Sequence, residues 1–202
     1  LEGIKIHSYG GKKSDCIGKL LSSTPSVKLE WNNKTITANL YGAYNYQNIL
    51  AAICIGNYFD VPAEDIVDAI EEYYPTNNRS QIIESNSNKI FLDAYNANPT
   101  SMNAAIDTFS ENKSENKLMI LGDMLELGKT SLEEHQNIVN KIEKLKIDTI
   151  FVGNEFNSII NKYNFTYIEN IDKVIDWLKH SGLTNHNILI KGSRGIRLEG
   201  AA

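Results

Sequence analysis

The segment Lys89–Phe109, KIFLDAYNANPTSMNAAIDTF, contains the strand-turn-helix unit that decides the fold. Its apolar run Ile90–Leu92 predicts a strand buried on both faces, as in a parallel sheet. Polar residues begin at Asp93, and Asn98–Ser101 turns the chain into a helix with apolar or small residues at near-helical spacing. Ligands of open α/β sheets bind at the carboxyl end of such strands. The alternative is a well-capped turn in which Asp93 only accepts hydrogen bonds.

The alternation of strand and helix continues toward the C-terminus. Further apolar strands are predicted in KLMILGDM, DTIFVG, FTYIEN and HNILIKGS, and the helices between them in SLEEHQNIVNKIEKL, EFNSIINKY and DKVIDWLKH. This pattern is typical of a doubly wound sheet. Residues 79–202 are therefore predicted to form an α/β, Rossmann-like domain with a mostly parallel sheet.

Residues 1–78 have a different pattern and predict an α+β fragment. GIKIHSYG, SVKLEW and KTITANLYG predict an antiparallel ribbon with a hairpin turn at Asn32 and Asn33. NYQNILAAICIGNYF is apolar almost all round and predicts a buried helix. PAEDIVDAIEEYY predicts a second helix that starts near Pro62 and ends at Pro75.

The composition describes a soluble globular protein, with 202 residues, 42% hydrophobic and 22% charged. A net charge of −5 argues against nucleic acid or anionic membrane as a partner, because both favour basic surfaces. Cys16 and Cys54 lack metal-ligand spacing and predict reduced, packed thiols. No apolar run reaches the length of a membrane span and no signal-peptide pattern is present, so a cytoplasmic location is predicted.

Three predicted strands end in unusual polar sequence: FLDAYNANP, MILGDMLELG and ILIKGSRG. Because the carboxyl ends of parallel strands meet at one edge, we expect their polar side chains to lie together. This combination is suited to phosphate, ribose hydroxyls and a zwitterionic substrate, although each motif alone is a weak signal. The residues are Asp93, Asn96, Asn98, Asp123, Glu126, Lys191, Ser193 and Arg194.

Two other features are interpreted as having no catalytic role. His135, on a predicted helix next to Glu134, is interpreted as polar surface, and the other histidines lack the spacing of a metal site. GGKKSD at Gly10–Asp15 is superficially similar to a phosphate-binding loop, but Lys13 stands where Ser or Thr would bind magnesium. We interpret it as a solvated turn.

The motifs resemble those of a known family, the Mur ligases of peptidoglycan synthesis. The resemblance covers about residues 40–197 and runs, in the family's order, through GAYNYQNILAA, NNRSQ, DAYNANPTSM, LGDMLELG, His135 and KGSRG. DAYNANP and GDMLELG resemble the member that adds D-alanyl-D-alanine better than those that add L-alanine, D-glutamate or a diamino acid.

The resemblance implies a reaction. ATP phosphorylates the C-terminal carboxylate of a UDP-N-acetylmuramoyl-tripeptide, the amine of D-alanyl-D-alanine attacks the acyl phosphate, and Mg²⁺ supplies counter-charge. The family usually has histidine where Tyr44 stands, so Tyr44 is assigned no adenine contact. The resemblance places Lys191 and Ser193 at the reacting groups, Asn45 and Asn48 near the adenine, Arg79 and Asp93 at the nucleotide, and Tyr95, Asn96, Asn98, Asp123, Glu126 and Arg194 at the substrate.

Other parts of the family's machinery have no match. No G-x-x-x-x-G-K-[ST] loop is present, and the magnesium-binding acid, the carbamylated lysine and the uridine-binding domain would lie upstream. We therefore expect residues 1–78 to be the C-terminal portion of the central ATP-binding domain and 79–202 the C-terminal domain, with RLEGAA preceding the family's last helix. The fragment is expected to be monomeric, to bind Mg²⁺ mainly through the upstream part, and to lack ligase activity alone.

Two alternatives stay open. One is another ligase of the same architecture, similar to folylpolyglutamate synthase, which differs in the amine that it accepts. The other is a noncatalytic nucleotide-binding domain. An upstream phosphate-binding loop in the natural reading frame would favour an enzyme over the noncatalytic domain.

Overall fold

The structure is a computed structural model that describes residues 5–202. The described residues up to Tyr74 form one compact unit, and Pro75–Ala202 form a second. The division lies close to the boundary predicted after residue 78. The assignment of the two units to parts of a ligase stays a prediction.

The first unit is a three-stranded antiparallel sheet with two helices. Asn32 and Asn33, between the second and third strands, have φ values of 49° and 58°. Two consecutive left-handed residues form the turn that suits a tight hairpin, so the predicted hairpin is confirmed. The elements, with the strands paired in chain order, are β1 (Lys19–Ser22), β2 (Lys28–Trp31), β3 (Lys34–Thr37), α1 (Asn45–Tyr58) and α2 (Ala63–Glu71).

The predicted first strand, GIKIHSYG, is wrong in the part that the structure describes. Residues 3 and 4 lie outside the described residues, residues 5–8 are not in a strand, and Tyr9 makes only an isolated bridge with Cys16. The strand that pairs with β2 on the side away from β3 is β1. Its side chains are mostly exposed, so no apolar alternation marks it in the sequence.

The prediction of a helix buried all round is also wrong. In α1, Leu50 and Ile53 are fully buried, whereas Ile55 is 61% and Tyr58 46% exposed. The apolar cluster of this unit takes residues from α1, α2 and the three-stranded sheet with its flanking segments, and these layers leave part of the surface of α1 uncovered. Gly10–Asp15 forms a turn, as predicted, and both cysteines are buried and free.

The second unit confirms the predicted Rossmann-like fold. Its six-stranded sheet has the order β4-β5-β9-β6-β7-β8, and every pair is parallel except β4 with β5. The pattern does not predict the antiparallel edge strand β4. The strands are β4 (Gln81–Ser85), β5 (Asn88–Asp93), β6 (Lys117–Gly122), β7 (Asp148–Val152), β8 (Thr166–Ile168) and β9 (Asn187–Lys191), and the helices are α3 (Pro99–Ser110), α4 (Ser131–Leu145), α5 (Asn154–Ile160) and α6 (Ile171–Ser181).

Helices cover both faces of this sheet. On one face the ring of Phe91 in β5 packs 5.8 Å from Phe109 in α3, and Phe151 in β7 packs 4.6 Å from Phe156 in α5. On the other face, alternate strand residues form an apolar cluster with Val174 of α6. Burial on both faces explains the uninterrupted apolar runs in the sequence.

Candidate functional site

The carboxyl ends of β5, β9 and β6 lie side by side in the second unit. Asp93 at the end of β5 is in register with Lys191 at the end of β9, and Lys191 is in register with Leu121 of β6. A Cβ added to Gly192 would lie 3.1 Å from the Cα of Gly122, so glycine allows the two strand ends to approach this closely. Three of the polar motifs thus meet at one edge, as the sequence predicts.

An ion pair joins two of these strand ends. The Lys191 ammonium lies 2.6 Å from Asp93 Oδ2, with side chains 1% and 13% exposed. Lys191 also donates to the Asn96 carbonyl at 3.3 Å, and Asp93 Oδ1 accepts from the Ser80 amide at 3.2 Å. A buried ammonium is tolerated because it is paired and hydrogen-bonded. The arrangement holds the ammonium at a fixed place on the carboxyl edge of the sheet.

Ser193 ties the loop after β9 to the loops after β5 and β6. It is 4% exposed, and its Oγ accepts from the Leu125 amide at 2.8 Å. The hydroxyl in turn donates to the Ala97 carbonyl at 3.3 Å, and the Ser193 amide donates to the Asp123 carbonyl at 3.1 Å. The direction of the hydroxyl proton is therefore set by two backbone groups.

Two arginines lie over one aromatic ring beside this edge. The guanidinium carbon of Arg79 is 3.8 Å from the centre of the Tyr95 ring, and that of Arg194 is 5.4 Å from it. Both arginines are exposed. Guanidinium groups stacked on an aromatic ring keep their N–H donors free to bind phosphate or carboxylate in a planar fork. The structure brings these three predicted residues together.

Asn98 has a local structural role. It is the N-cap of α3, its side chain accepts from the Ser101 amide at 2.8 Å, and Ser101 Oγ accepts from the Asn98 amide at 3.1 Å. This reciprocal capping matches the turn that the sequence predicts. Asn96 is exposed, and a substrate contact of either asparagine stays a prediction.

Replacement of Asn98 by alanine should lower the free energy of unfolding by about 1 kcal/mol, because α3 loses its N-cap hydrogen bond. Chemical denaturation of the parent and the variant measures this. Thr100→Ala in the first turn of the same helix is the control, because Thr100 is exposed and does not occupy the N-cap position. Unchanged stability of Asn98→Ala would contradict the capping role.

The carboxylate of Asp123 is hydrogen-bonded to the backbone at the start of α5. Its side chain accepts from the amides of Glu155 and Phe156, both at 3.0 Å, at the start of α5. Burial raises the pKa of this carboxyl above its usual value, although the two backbone donors act in the opposite direction. Asp123 thus links β6 to α5, and its predicted contact with a substrate stays a prediction. Glu126 is exposed in a left-handed turn with φ of 68°, and its predicted contact stays open too.

The interpretation of His135 as polar surface is wrong. The residue is 0% exposed, and Nε2 accepts from the Met124 amide at 2.9 Å. It lies on the buried face of α4 with Ile138, Val139 and Ile142. The i, i+3, i+4, i+7 spacing with these residues was the available signal, because it places His135 on the helix face that packs on the sheet.

A cleft of about 430 Å³ adjoins Asp123 at the same edge of the sheet. Charged residues that the sequence does not single out line it: Glu155, Glu169 and Arg197. The glycine at the end of the predicted strand DTIFVG was a usable signal, because Gly153 has φ of 111° and a Cβ there would lie 2.3 Å from Asp123 Oδ2. Only the packed fold shows that this strand end joins the other three.

Asn45 and Asn48, the predicted adenine contacts, lie in the first unit. Asn45 is buried at the start of α1 and donates to the Tyr41 carbonyl at 2.7 Å. Its Oδ1 accepts from Asn48 Nδ2 at 3.0 Å. Tyr44 occupies the N-cap position and makes no capping hydrogen bond with its side chain. The two asparagines therefore form one polar cluster on the first turns of α1.

Residues 5–202 contain neither a group of metal-ligating side chains nor a membrane-spanning helix. No three His, Cys, Asp or Glu side chains are grouped so that they could hold a metal ion. No helix in this range combines the length and the apolar character that crossing a membrane demands.

Comparison with known proteins identifies the family. Residues 78–194 match the family described as Mur ligase, glutamate ligase domain. The UDP-N-acetylmuramoyl-tripeptide–D-alanyl-D-alanine ligase of Bacillus subtilis is 34% identical over 171 residues, 79% of this chain and 37% of that protein. The ligase of the same name from Buchnera aphidicola subsp. Baizongia pistaciae is 36% identical over 208 residues, 96% of this chain and 45% of that protein.

A solved structure agrees with these relatives. A crystal structure of MurF from Acinetobacter baumannii superposes with a TM-score of 0.81 at 25% identity, over 98% of this chain and 46% of that one. The chain spans less than half the length of the curated relatives described above. The family match covers more than half of this chain and confirms the resemblance in the sequence. The chain therefore belongs to the Mur ligase family, whose glutamate ligase domain it carries at residues 78–194.

Proposed function

We propose that this chain is part of an ATP-dependent ligase that joins D-alanyl-D-alanine to UDP-N-acetylmuramoyl-tripeptide. The γ-phosphoryl group of ATP passes to the tripeptide carboxylate and ADP leaves. The amine then attacks the acyl phosphate, phosphate leaves, and the amine loses a proton as the amide forms. The names of the relatives and the DAYNANP and GDMLELG motifs support this acceptor.

The observation that carries the proposal is the paired ammonium of Lys191 at the carboxyl edge of the sheet. Phosphoryl transfer asks the protein mainly for positioning and for charge stabilisation. Lys191 supplies a compact charge, and the ion pair with Asp93 at 2.6 Å fixes its place. Ser193 supplies a hydroxyl whose direction the backbone sets.

The remaining roles follow the same proposal. Arg79 and Asp93 hold the nucleotide, and Asn45 with Asn48 contacts the adenine. The exposed guanidinium of Arg194, stacked with Arg79 on Tyr95, is suited to a substrate carboxylate or phosphate. The other proposed substrate contacts are Tyr95, Asn96, Asn98, Asp123 and Glu126.

Magnesium does not fit the described residues by themselves. No three acidic, histidine or cysteine side chains among residues 5–202 are placed to hold it, and no step here is assigned to it. We propose that Mg²⁺ binds mainly through the upstream part of the enzyme. We also propose that residues 1–78 belong to the central ATP-binding domain and 79–202 to the C-terminal domain, in a monomeric cytoplasmic enzyme.

The identity of the amine acceptor tests the proposal. The natural protein that contains this chain is given ATP, Mg²⁺ and UDP-N-acetylmuramoyl-tripeptide, and phosphate release is measured with D-alanyl-D-alanine or with L-glutamate. We expect D-alanyl-D-alanine to be preferred by on the order of 10²-fold or more in kcat/KM, because a site built for one polar substrate rejects another. Omission of the tripeptide is the control.

Two results would point elsewhere. A preference for L-glutamate with a folyl substrate would favour a ligase similar to folylpolyglutamate synthase. Nucleotide binding without phosphate release with either acceptor would favour a noncatalytic nucleotide-binding domain.

A further inference from the structure

His135 is a buried titratable residue to which the proposed reaction gives no role. Its side chain is 0% exposed, and its ring packs edge-on against Phe156 with centroids 4.6 Å apart. The acidic groups that face it are Asp123, whose Oδ1 is 3.9 Å from Nε2, and Glu155, which is linked to it through Ser131. A polar ring in an apolar layer is costly unless both nitrogens are hydrogen-bonded. Its partners therefore indicate what it does.

The two partners require one neutral tautomer. Nδ1 lies 2.8 Å from the Ser131 carbonyl, which can only accept, so Nδ1 carries the proton. Nε2 lies 2.9 Å from the Met124 amide nitrogen, which can only donate, so Nε2 is unprotonated. His135 thus acts toward the loop after β6 as a hydrogen-bond acceptor.

The loop that His135 binds also orients Ser193. Met124 is followed by Leu125, whose amide donates to Ser193 Oγ at 2.8 Å. The Asp123 carbonyl, on the other side of Met124, accepts from the Ser193 amide at 3.1 Å. The segment 123–125, here called the β6 loop, is therefore held by α4 on one side and by the residues after β9 on the other.

We propose that His135 is a positioning residue that fixes the β6 loop and, through the Leu125 amide, the direction of the Ser193 hydroxyl. The inference rests on the proposed function, in which Ser193 faces the reacting groups. The acceptor at Nε2 is the required feature. Without this acceptor the buried Met124 amide loses its hydrogen-bond partner. The β6 loop then shifts so that the amide can bond to another acceptor. The Leu125 amide then moves away from Ser193.

Two substitutions separate the acceptor from the donor. Glutamine at position 135 is long enough to place a carbonyl oxygen near the site of Nε2, where it accepts from the Met124 amide. Asparagine is shorter, so its amide group can donate to the Ser131 carbonyl near the site of Nδ1 but does not reach Met124. Both substitutions remove the ring from the same packed layer. His180→Gln is the matched control, because His180 on α6 is 78% exposed in its side chain.

The kinetic test uses the natural protein that contains this chain, with D-alanyl-D-alanine-dependent phosphate release as the readout. We expect His135→Asn to lower kcat by about 10- to 100-fold, because small misplacements of reacting groups have effects of this size. The KM for ATP should change less, and His135→Gln should recover most of the turnover. Equal kcat values for the two variants, or losses of kcat that follow only their losses of thermal stability, would overturn the proposal.

A second measurement does not depend on turnover. Amide hydrogen exchange of Met124 and Leu125 is followed by NMR in the ¹⁵N-labelled chain. We expect both amides to stay protected in His135→Gln and to exchange faster in His135→Asn, and equal protection in the two variants would overturn the positioning role. If the parent enzyme shows no turnover dependent on D-alanyl-D-alanine, the proposed function fails, and the exchange data still decide whether His135 holds the loop.

Discussion

Replacement of Lys191 by alanine in the natural protein that contains this chain is expected to lower kcat by on the order of 10²-fold. The Lys191 ammonium lies at the edge where three strand ends meet, and its pairing with Asp93 at 2.6 Å fixes its position. A charge held near a developing acyl phosphate stabilises the transition state more than the ground state. The KM for ATP should therefore rise less than kcat falls. Steady-state kinetics with ATP and D-alanyl-D-alanine measure both.

Two further variants make this result specific. Lys191→Arg should restore turnover only in part, because a planar guanidinium does not occupy the place of a compact ammonium. Lys173→Ala is the control, since Lys173 is an exposed lysine of α6 that also pairs with an acid, Glu169. Turnover of Lys191→Ala within about twofold of the parent would remove Lys191 from the proposed active site.

Replacement of Asp93 by alanine is expected to lower the free energy of unfolding by about 3–5 kcal/mol. A position at the end of a strand would by itself suggest little effect on stability. The structure changes that expectation, because Lys191 is only 1% exposed and would keep a buried charge without this carboxylate. Chemical denaturation followed by circular dichroism measures the loss.

An exposed ion pair provides the comparison. Asp107 pairs with Lys141 at 2.6 Å, but its side chain is 61% exposed. Asp107→Ala should therefore lower the free energy of unfolding by less than about 1 kcal/mol. If Asp93→Ala is no more destabilising than Asp107→Ala, the buried pair does not stabilise the fold. A double variant, Asp93→Asn with Lys191→Met, should recover part of the loss, because no buried charge is then left unpaired.

Four of the predicted strands are recognised from uninterrupted apolar runs, because both of their faces have the same environment. β5, β6, β7 and β9 are covered on both faces, so each is a short apolar run between polar turns. β4 and β1 are half-exposed or exposed strands with few apolar residues in a regular order. The position of these two strands in the sheet depends on the strand with which each one pairs. Local periodicity does not identify that partner.

Helix burial shows the same limit. The apolar sequence of α1 predicts burial all round, yet Ile55 is 61% exposed, because the small sheet and α2 cover only part of the helix surface. For His135 the sequence predicts exposure, but the residue is buried, because it lies on the face of α4 that packs on the large sheet. Composition sets what a helix can bury, and the size and position of the neighbouring layers set what it does bury.

The sequence by itself determined that the second unit is an α/β sheet and that polar residues stand at its strand ends, because both follow from periodicity along the chain. Only the tertiary structure decided that Lys191 faces Asp93, 98 positions away, and that Asp123 faces the start of α5. It also decided that His135 faces the amide of Met124. The physical reason is that strand order and register set which groups meet, and these depend on packing between segments far apart in the chain.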